Sequence, residues 1–381
     1  MTLLLEGTWP GCIGGITTWV QDLIVGLPDV AFHVVRIGPP VDRWVVERPA
    51  NVVAVDFVAD DAELSEAGIR SWAERVAPSI VAGDVVQAVG AGLAAALAMP
   101  VAARSGRPWV LGEHASYVRE LEHGQLTLET GRCVEESVAA RHALVDTFLG
   151  IARDAYGSAA CIVALDEATQ RFQAAHGAPL DRLERIGNGV ALGRAVTPTG
   201  PFSVVQVGRI CPIKDTLGFV EVAEEVRRVH PDARFVHVGP VDDPAYGELC
   251  RRRGALSDSV TFLGPRPRWD FGVGAPHALA LTSRSEAQPL AALEAMARGI
   301  PVVATDVGAC RALIAEGAPA GGAVVPARDP RAVAEVLLRW YEEPHQRDVL
   351  AAGAYRRVAA SWSWETVLQQ YRRLYERLGA Q

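Results

Sequence analysis

Paired cysteines are missing from this sequence: its six cysteines (Cys12, Cys133, Cys161, Cys211, Cys250 and Cys310) never stand as CxxC. That excludes the common zinc and redox patterns and matches the usage of a reducing compartment without a disulfide framework. Positive charge is also in short supply. Lys and Arg number 37 against 45 Asp and Glu, a formal net charge of -8 with a pI near 5.7, so nonspecific nucleic-acid binding has no electrostatic footprint. The opening Met-Thr-Leu-Leu-Leu-Glu has no basic stretch and its apolar run stops at Glu6, unlike a secretory signal. Only 85–103 approaches a long apolar run, with Gln87 its polar exception. Its Ala and Gly content and Pro100 favour a buried strand and helix over a membrane span. The expectation is a cytoplasmic protein with no transmembrane segment.

What is present is an alternation. With 381 residues, 49% of them hydrophobic, the chain is long enough for two domains of ordinary size. Short apolar runs alternate with amphipathic stretches, the pattern of stacked βα units and parallel sheets. Candidate strands are Leu3–Leu5, His33–Ile37, Val52–Val55, Val85–Ala88, Trp109–Leu111 and Cys161–Ala164, with helical patterns such as Ile16–Val25 and Ala67–Ala77 between them. The aperiodic Val196-Thr-Pro-Thr-Gly-Pro201 reads as a boundary. A second alternation follows: Ser203–Val207, a helix Thr216–Arg228, Arg234–Val238, Val260–Leu263, Ala278–Leu281, a helix through Met296, and Pro301–Ala304. A last helix covers roughly Trp364 to Leu378. The division expected is 1–195, 196–360 and a terminal helix in 361–381, giving two doubly wound α/β domains whose ligand lies at the carboxyl ends of the strands, in the interdomain crevice.

Four segments carry candidate chemistry. In Ser285-Glu286-Ala287-Gln288-Pro289-Leu290-Ala291-Ala292-Leu293-Glu294 and onward to Gly299, Pro289 suits a helix start and Gly299 its end. Glu286 then lies in the loop entering the helix and Glu294 on its second turn. On one helix the two carboxylates would be about 12 Å apart along the axis, farther than the roughly 5–9 Å of a glycosidase pair. They suit gripping two parts of a long ligand, with the N–H groups of Leu290 and Ala291 offered to a phosphate. An isolated pair at this spacing would more often be two solvated glutamates. In Gly208-Arg209-Ile210-Cys211-Pro212-Ile213-Lys214-Asp215, two cations follow a strand directly. They can neutralise a diphosphate that gains charge as it leaves, or form an ordinary basic loop. Gly7-Thr8-Trp9-Pro10-Gly11-Cys12-Ile13-Gly14-Gly15 lacks the Lys-Ser/Thr of a P-loop, yet Gly14 and Gly15 let backbone N–H groups approach a phosphate; a flexible turn is the plain alternative. Glu113-His114 follows the strand at Trp109, where a neutral histidine can bond a sugar hydroxyl or simply pack. Tyr117, Arg119 and Glu120 fall in a polar segment assigned to the acceptor border, whereas His123, His142 and His176 have no assigned role. Gly90-Ala91-Gly92-Leu93-Ala94-Ala95 imitates a dinucleotide fingerprint, with Glu113 about twenty residues on. It is not the first βα turn of its domain, so small-residue packing is favoured.

Taken together, these motifs resemble the retaining GT-B glycosyltransferases of family 4, and within it the glycosyltransferase of Pel exopolysaccharide synthesis. The likeness is carried by Glu6-Gly7-Thr8-Trp9-Pro10, Gly14-Gly15 and Trp19; by Glu113-His114; by Gly187-Asn188-Gly189-Val190; by Gly208-Arg209 with Pro212–Asp215; and by Ser285–Gly299 continued in Pro301–Arg311. It implies a GT-B fold, two Rossmann-like domains facing across a cleft with the last helix returning to the first domain. It implies Arg209 and Lys214 on the donor diphosphate, Glu294 on the ribose, Glu286 on the transferred sugar, His114 near the reacting carbon and Gly15 near the phosphate. It further implies retention by same-face attack, with the leaving phosphate helping to deprotonate the acceptor, and no required metal or other cofactor. Two positions depart from the family: Gly187 stands for the usual proline, and Ala287 for the glycine after the first glutamate.

Three functions follow in order of preference. The first is hexosyl transfer from a nucleoside-diphosphate sugar, UDP-glucose or another UDP-sugar, to an acceptor that the sequence does not identify (polysaccharide, lipid or small natural product). The second is a catalytically silent sugar-nucleotide-binding subunit of a biosynthetic assembly, motivated by the Ala287 methyl, which would crowd the donor if that backbone needs positive φ. The third is an NAD-dependent oxidoreductase built on the Gly90 loop.

Overall fold

A computed structural model describes the chain except residues 8, 13, 115, 116, 124–127, 129, 131, 133, 135, 136, 269, 380 and 381. Thr8, Ile13 and Cys133 of the sequence motifs therefore lie outside the described residues. The chain divides into two compact units, Met1–Gly189 with Trp364–Gln381, and Val190–Ser363. These junctions lie a few residues from the 195/196 and 360/361 divisions expected. The segment after Gly189 is tied into the second unit: Val190 N–H donates to Trp362 C=O, Gly193 N–H to Ala297 C=O and Val196 N–H to Arg298 C=O. Non-periodic Pro/Gly sequence marks a loop, but hydrogen bonds decide which body owns it.

The first unit carries a parallel sheet of β1 (Thr2–Glu6), β2 (Phe32–Ile37), β3 (Val52–Val58), β4 (Val86–Val89), β5 (Trp109–Gly112), β6 (Cys161–Ala164) and β7 (Leu183–Arg185). Its order is β3-β2-β1-β4-β5-β6-β7, so the winding reverses between β1 and β4. The suspected span 85–103 resolves into β4 and the helix Leu93–Ser105, nine of whose thirteen residues are buried. Among the described residues no helix is long and apolar enough to cross a membrane. The last helix, Trp364–Gly379, packs in this unit: Trp364 Nε1 donates to Asp22 Oδ2 at 2.8 Å, and Tyr371 and Tyr375 lie buried.

The second unit carries β8 (Ser203–Val207), β9 (Arg234–Val238), β10 (Thr261–Phe262), β11 (Ala278–Leu281), β12 (Val302–Thr305) and β13 (Gly322–Val325) in the order β10-β9-β8-β11-β12-β13. Alternate residues feed two cores. Val205, Val236, Leu279, Leu281 and Val302 face one, while Val204, Phe235, Ala278, Ala280 and Val303 face the other. A strand buried on both faces must be apolar at every step, which is why these runs read as continuous rather than alternating. Every pairing in both sheets is parallel. Each unit is thus Rossmann-like, the fold class expected.

Candidate active site

Because the second sheet is parallel, the loops after β8, β9, β10, β11 and β12 all open at one edge. The winding reverses between β8 and β11, and ligands of such sheets bind at that point. The two strongest motifs follow these two strands. A short 3-10 turn, Pro212–Lys214, leads through Asp215, held left-handed at φ 47, into the helix Thr216–Val229. Arg284 N–H donates to Ile213 C=O at 2.8 Å, lacing the loop after β11 to the loop after β8.

Lys214 and Glu286 meet there. The ammonium donates to both carboxylate oxygens, at 2.7 and 2.8 Å. Ser283 donates a further 2.7 Å bond to Glu286 Oε1. The pair is largely removed from water, with side chains 26% and 7% exposed. Gly308, after β12, closes in behind: it has φ 51, and a Cβ there would overlap the Glu286 carbonyl. Arg209 pairs with Asp242, after β9, at 3.0 Å. Glu294 pairs with Arg268, after β10, at 2.8 Å. The helix entered from this loop is Leu290–Met296, with Pro289 as its cap rather than its first residue. Pro289 C=O receives the N–H groups of Ala292 and Leu293, so Leu290 and Ala291 come before the helix's first bond. Gly299, at φ 70, turns the chain out after the helix.

Lys214 and Glu286 are therefore in direct contact, while Arg209 and Glu294 are each tied to a residue the sequence analysis did not assign. Sequence reading missed Ser283, Asp242 and Arg268. Ser283 had a usable signal, its Ser-x-x-Glu spacing to Glu286. Asp242 and Arg268 had none, because their pairing crosses from strand to strand. Ala287 is not among the residues with positive φ. The methyl imposes no backbone strain, which removes the motive for a silent subunit.

In the first unit Gly14 caps the helix Gly15–Gly26 in extended conformation, and the space around its Cα is open. Gly14 and Gly15 are exposed, at the reversal between β1 and β4. His114 follows β5 with its Nδ1 3.1 Å from Asn188 Oδ1. Trp19 lies against the ring at 3.9 Å between centroids, and burial pushes the imidazole down to about 4, so it is neutral near pH 7. Glu113 turns away from it, receiving Tyr156 Oη at 2.9 Å and Gln173 Nε2 at 3.0 Å; burial raises its pKa. One reading needs correction. Tyr117 is not part of a polar surface: it is buried, stacked on Phe148 and bonded to the carboxylate of Glu6, because its ring supplies core to the short helix Tyr117–Glu122. Arg119 lies over Phe172 at 4.8 Å.

The dinucleotide imitation is also closed. Glu6 Oε1 accepts Ala94 N–H at 2.9 Å at the start of Leu93–Ser105. A carboxylate thus sits where a pyrophosphate would need to bind, and like charge opposes it. Gly92 is glycine because the Tyr117 ring fills the space a Cβ would take. Small residues are there for packing.

Comparison with known proteins agrees with this architecture. Residues 201–343 match the family described as glycosyl transferases group 1, and residues 1–73 and 69–181 match a domain of unknown function, DUF3492. A D-inositol 3-phosphate glycosyltransferase of Frankia alni is 37% identical over 182 residues, 44% of each chain. An alpha-D-kanosaminyltransferase of Streptomyces kanamyceticus is 32% identical over 180 residues, 46% of each. The matches span less than half the length of both relatives. Sucrose-phosphate synthase from Thermosynechococcus elongatus has the same fold, with a TM-score of 0.77 at 20% identity over 100% of this chain and 99% of that one. Anabaena HepE, solved in complex with UDP and glucose, gives 0.77 at 18% identity over 99% and 100%.

Proposed function

We propose that this protein is a cytoplasmic, metal-independent retaining glycosyltransferase that moves a hexosyl group from a UDP-sugar, such as UDP-glucose, to an acceptor hydroxyl. The observation that carries the reading is the Lys214–Glu286 contact, which joins the two most specific motifs within the segment matching glycosyl transferases group 1. A cation held by a carboxylate at a sheet's reversal point is a diphosphate site with an exchangeable internal anion. An incoming diphosphate competes for Lys214. The freed Glu286, still held by Ser283, turns its oxygens to the hydroxyls of the sugar. Arg209 offers the second positive charge from the same loop. As the glycosyl bond breaks, the β-phosphate gains charge, and both cations stabilise that change more than they stabilise the bound donor. The leaving phosphate then takes the acceptor's proton, with attack on the face it vacates. Glu294, on the second turn of Leu290–Met296, is assigned to the ribose; Leu290, Ala291, Gly14 and Gly15 offer backbone N–H groups to phosphate. HepE's complex with UDP and glucose supports a UDP-sugar donor by likeness of fold.

The test is release of UDP from UDP-glucose over a panel of hydroxyl acceptors, in wild type and in Arg209→Ala and Lys214→Ala. Multiple turnover that depends on acceptor is expected, falling about 10²–10³-fold in either variant, the scale for losing one transition-state partner. Full activity in both variants sinks the site. UDP-sugar binding without turnover across the panel sinks the enzymatic reading.

A further inference from the structure

We propose that Asn188 holds His114 as the tautomer protonated on Nδ1, with Nε2 free of its proton, and that Tyr375, by orienting Gln87, makes the Nε2 side of the ring agree with it. The inference rests on the glycosyltransferase reading only for its meaning in the reaction; the tautomer follows from geometry alone.

The Nε2 side is set from the helix Trp364–Gly379. Tyr375 Oη donates to Gln87 Oε1 at 2.6 Å, and burial holds that phenol in its protonated form. Taking up the amide oxygen points the NH2 end of Gln87 the other way. Gln87 Nε2 and His114 Nε2 stand 3.2 and 3.5 Å from a single point, the place a Cβ on Gly112 would occupy. Both nitrogens are closed off from solvent, and neither meets a partner among the described residues. The two are not bonded to each other, but an amide nitrogen only donates, so a proton on His114 Nε2 would set two donors toward the same space. At the other side of the ring, Nδ1 faces Asn188 Oδ1 at 3.1 Å, and an amide oxygen only accepts. The Asn188 bond fixes the tautomer, and the Gln87 amide on the other side is compatible with it.

Packing keeps the ring in place. Trp19 lies on it, and Tyr371 backs Trp19 at 5.8 Å. The nearby carboxylates are engaged elsewhere: Glu113 is turned to Tyr156 and Gln173, and Asp22, on the helix of Trp19, accepts from Trp364. Asn188 and Tyr375 act through His114 and are positioning residues. A neutral His114 that keeps its single proton on the Asn188 side offers an acceptor and no acid. It gives no proton to the leaving diphosphate, and the positive charge of the reaction stays with Arg209 and Lys214.

The experiment is long-range 1H–15N correlation of ring-labelled histidine in the full chain without donor, with His114→Gln used to assign the signal. The expected pattern is a proton on Nδ1, an unprotonated Nε2 and no titration between pH 5.5 and 8. Asn188→Asp places a carboxylate against Nδ1–H and should move the titration up into that window. Tyr375→Phe keeps the ring packing but frees the Gln87 amide to turn over, so a mixture of tautomers is expected. A proton on Nε2 in the wild type, ordinary titration near 6.5, or an unchanged spectrum in both variants overturns the proposal. These readouts need no turnover, so a chain that fails to transfer sugar yet shows the Nδ1–H tautomer counts against the enzymatic reading alone.

Discussion

The two units treat their polar groups in contrasting ways. In Val190–Ser363 the residues singled out for chemistry are charged and paired: Lys214 with Glu286, Arg209 with Asp242, Glu294 with Arg268. In the unit built on Met1–Gly189 the side chains around His114 are buried, with its pKa pushed down, that of Glu113 raised and Gln87 bonded to Tyr375. The contrast teaches a division of labour. An anionic ligand can exchange with an internal carboxylate at modest net cost, because charge is conserved at the cation. A desolvated neutral cluster cannot take such a ligand; it can only fix shape and hydrogen-bond direction.

Glycine substitutions should break the two regions to different degrees. In Gly308→Ala the new methyl meets the Glu286 backbone at a left-handed position, so the loop carrying Glu286 must move. The expected loss is about 1–3 kcal/mol for overpacking plus roughly 1 kcal/mol for the backbone, with no thermal shift left on adding UDP. In Gly92→Ala the methyl meets the Tyr117 ring, a side chain. A smaller loss in urea unfolding is expected, and UDP should still shift the melting temperature. Equal effects of the two variants on UDP binding would erase the distinction between the units.

Acid should separate them next. His237 and His277, both in the second unit, are pushed down to about 4 by burial, as is His114 in the first. Each folded value lies below the ordinary histidine value of about 6.5. The unfolded chain therefore binds more protons between those limits, and the stability these groups contribute, full above 6.5, is lost as pH falls toward 4. Glu113 opposes this in the first unit alone. Its raised pKa means the unfolded state gives up the proton first, so its penalty grows as pH rises above about 4.5 and is relieved on acidification. Going from pH 7 to pH 5 in limited proteolysis should therefore speed the release of fragments of 190–363 more than that of fragments of the first unit. A larger acceleration within 1–189 contradicts the assignment.

How much of this could be read from residues depended on range. β1, β2, β4–β6, β8, β9, β11 and β12 were visible because double-sided burial makes them continuous apolar runs. β7, Leu-Glu-Arg, and β13, beginning at Gly322, were missed: an edge strand of three residues and a glycine-led strand carry no period. Lys214 and Glu286 were each found from local chemistry at the ends of strands. Their contact across 72 positions was not, since it arises from β8 and β11 lying side by side. Asn188 was quoted only as part of a motif, and its role against His114 appears only when the segment after β7 meets the loop after β5. Topology, rather than propensity, carries that information.

The smallest expected effect concerns Ala287, where the sequence departs from the family it resembles. Its backbone has no positive φ, and its carbonyl accepts Ala309 N–H at 2.9 Å, so alanine fits without strain. Ala287→Gly should then act mainly through the unfolded chain, costing about 0.4–1 kcal/mol because glycine has more freedom to lose. Turnover with UDP-glucose should change by less than about threefold, a barrier difference under about 0.7 kcal/mol. A gain of tenfold or more would mean that the methyl obstructs the donor, and the charged unit would then be a binding site held short of catalysis by one carbon atom.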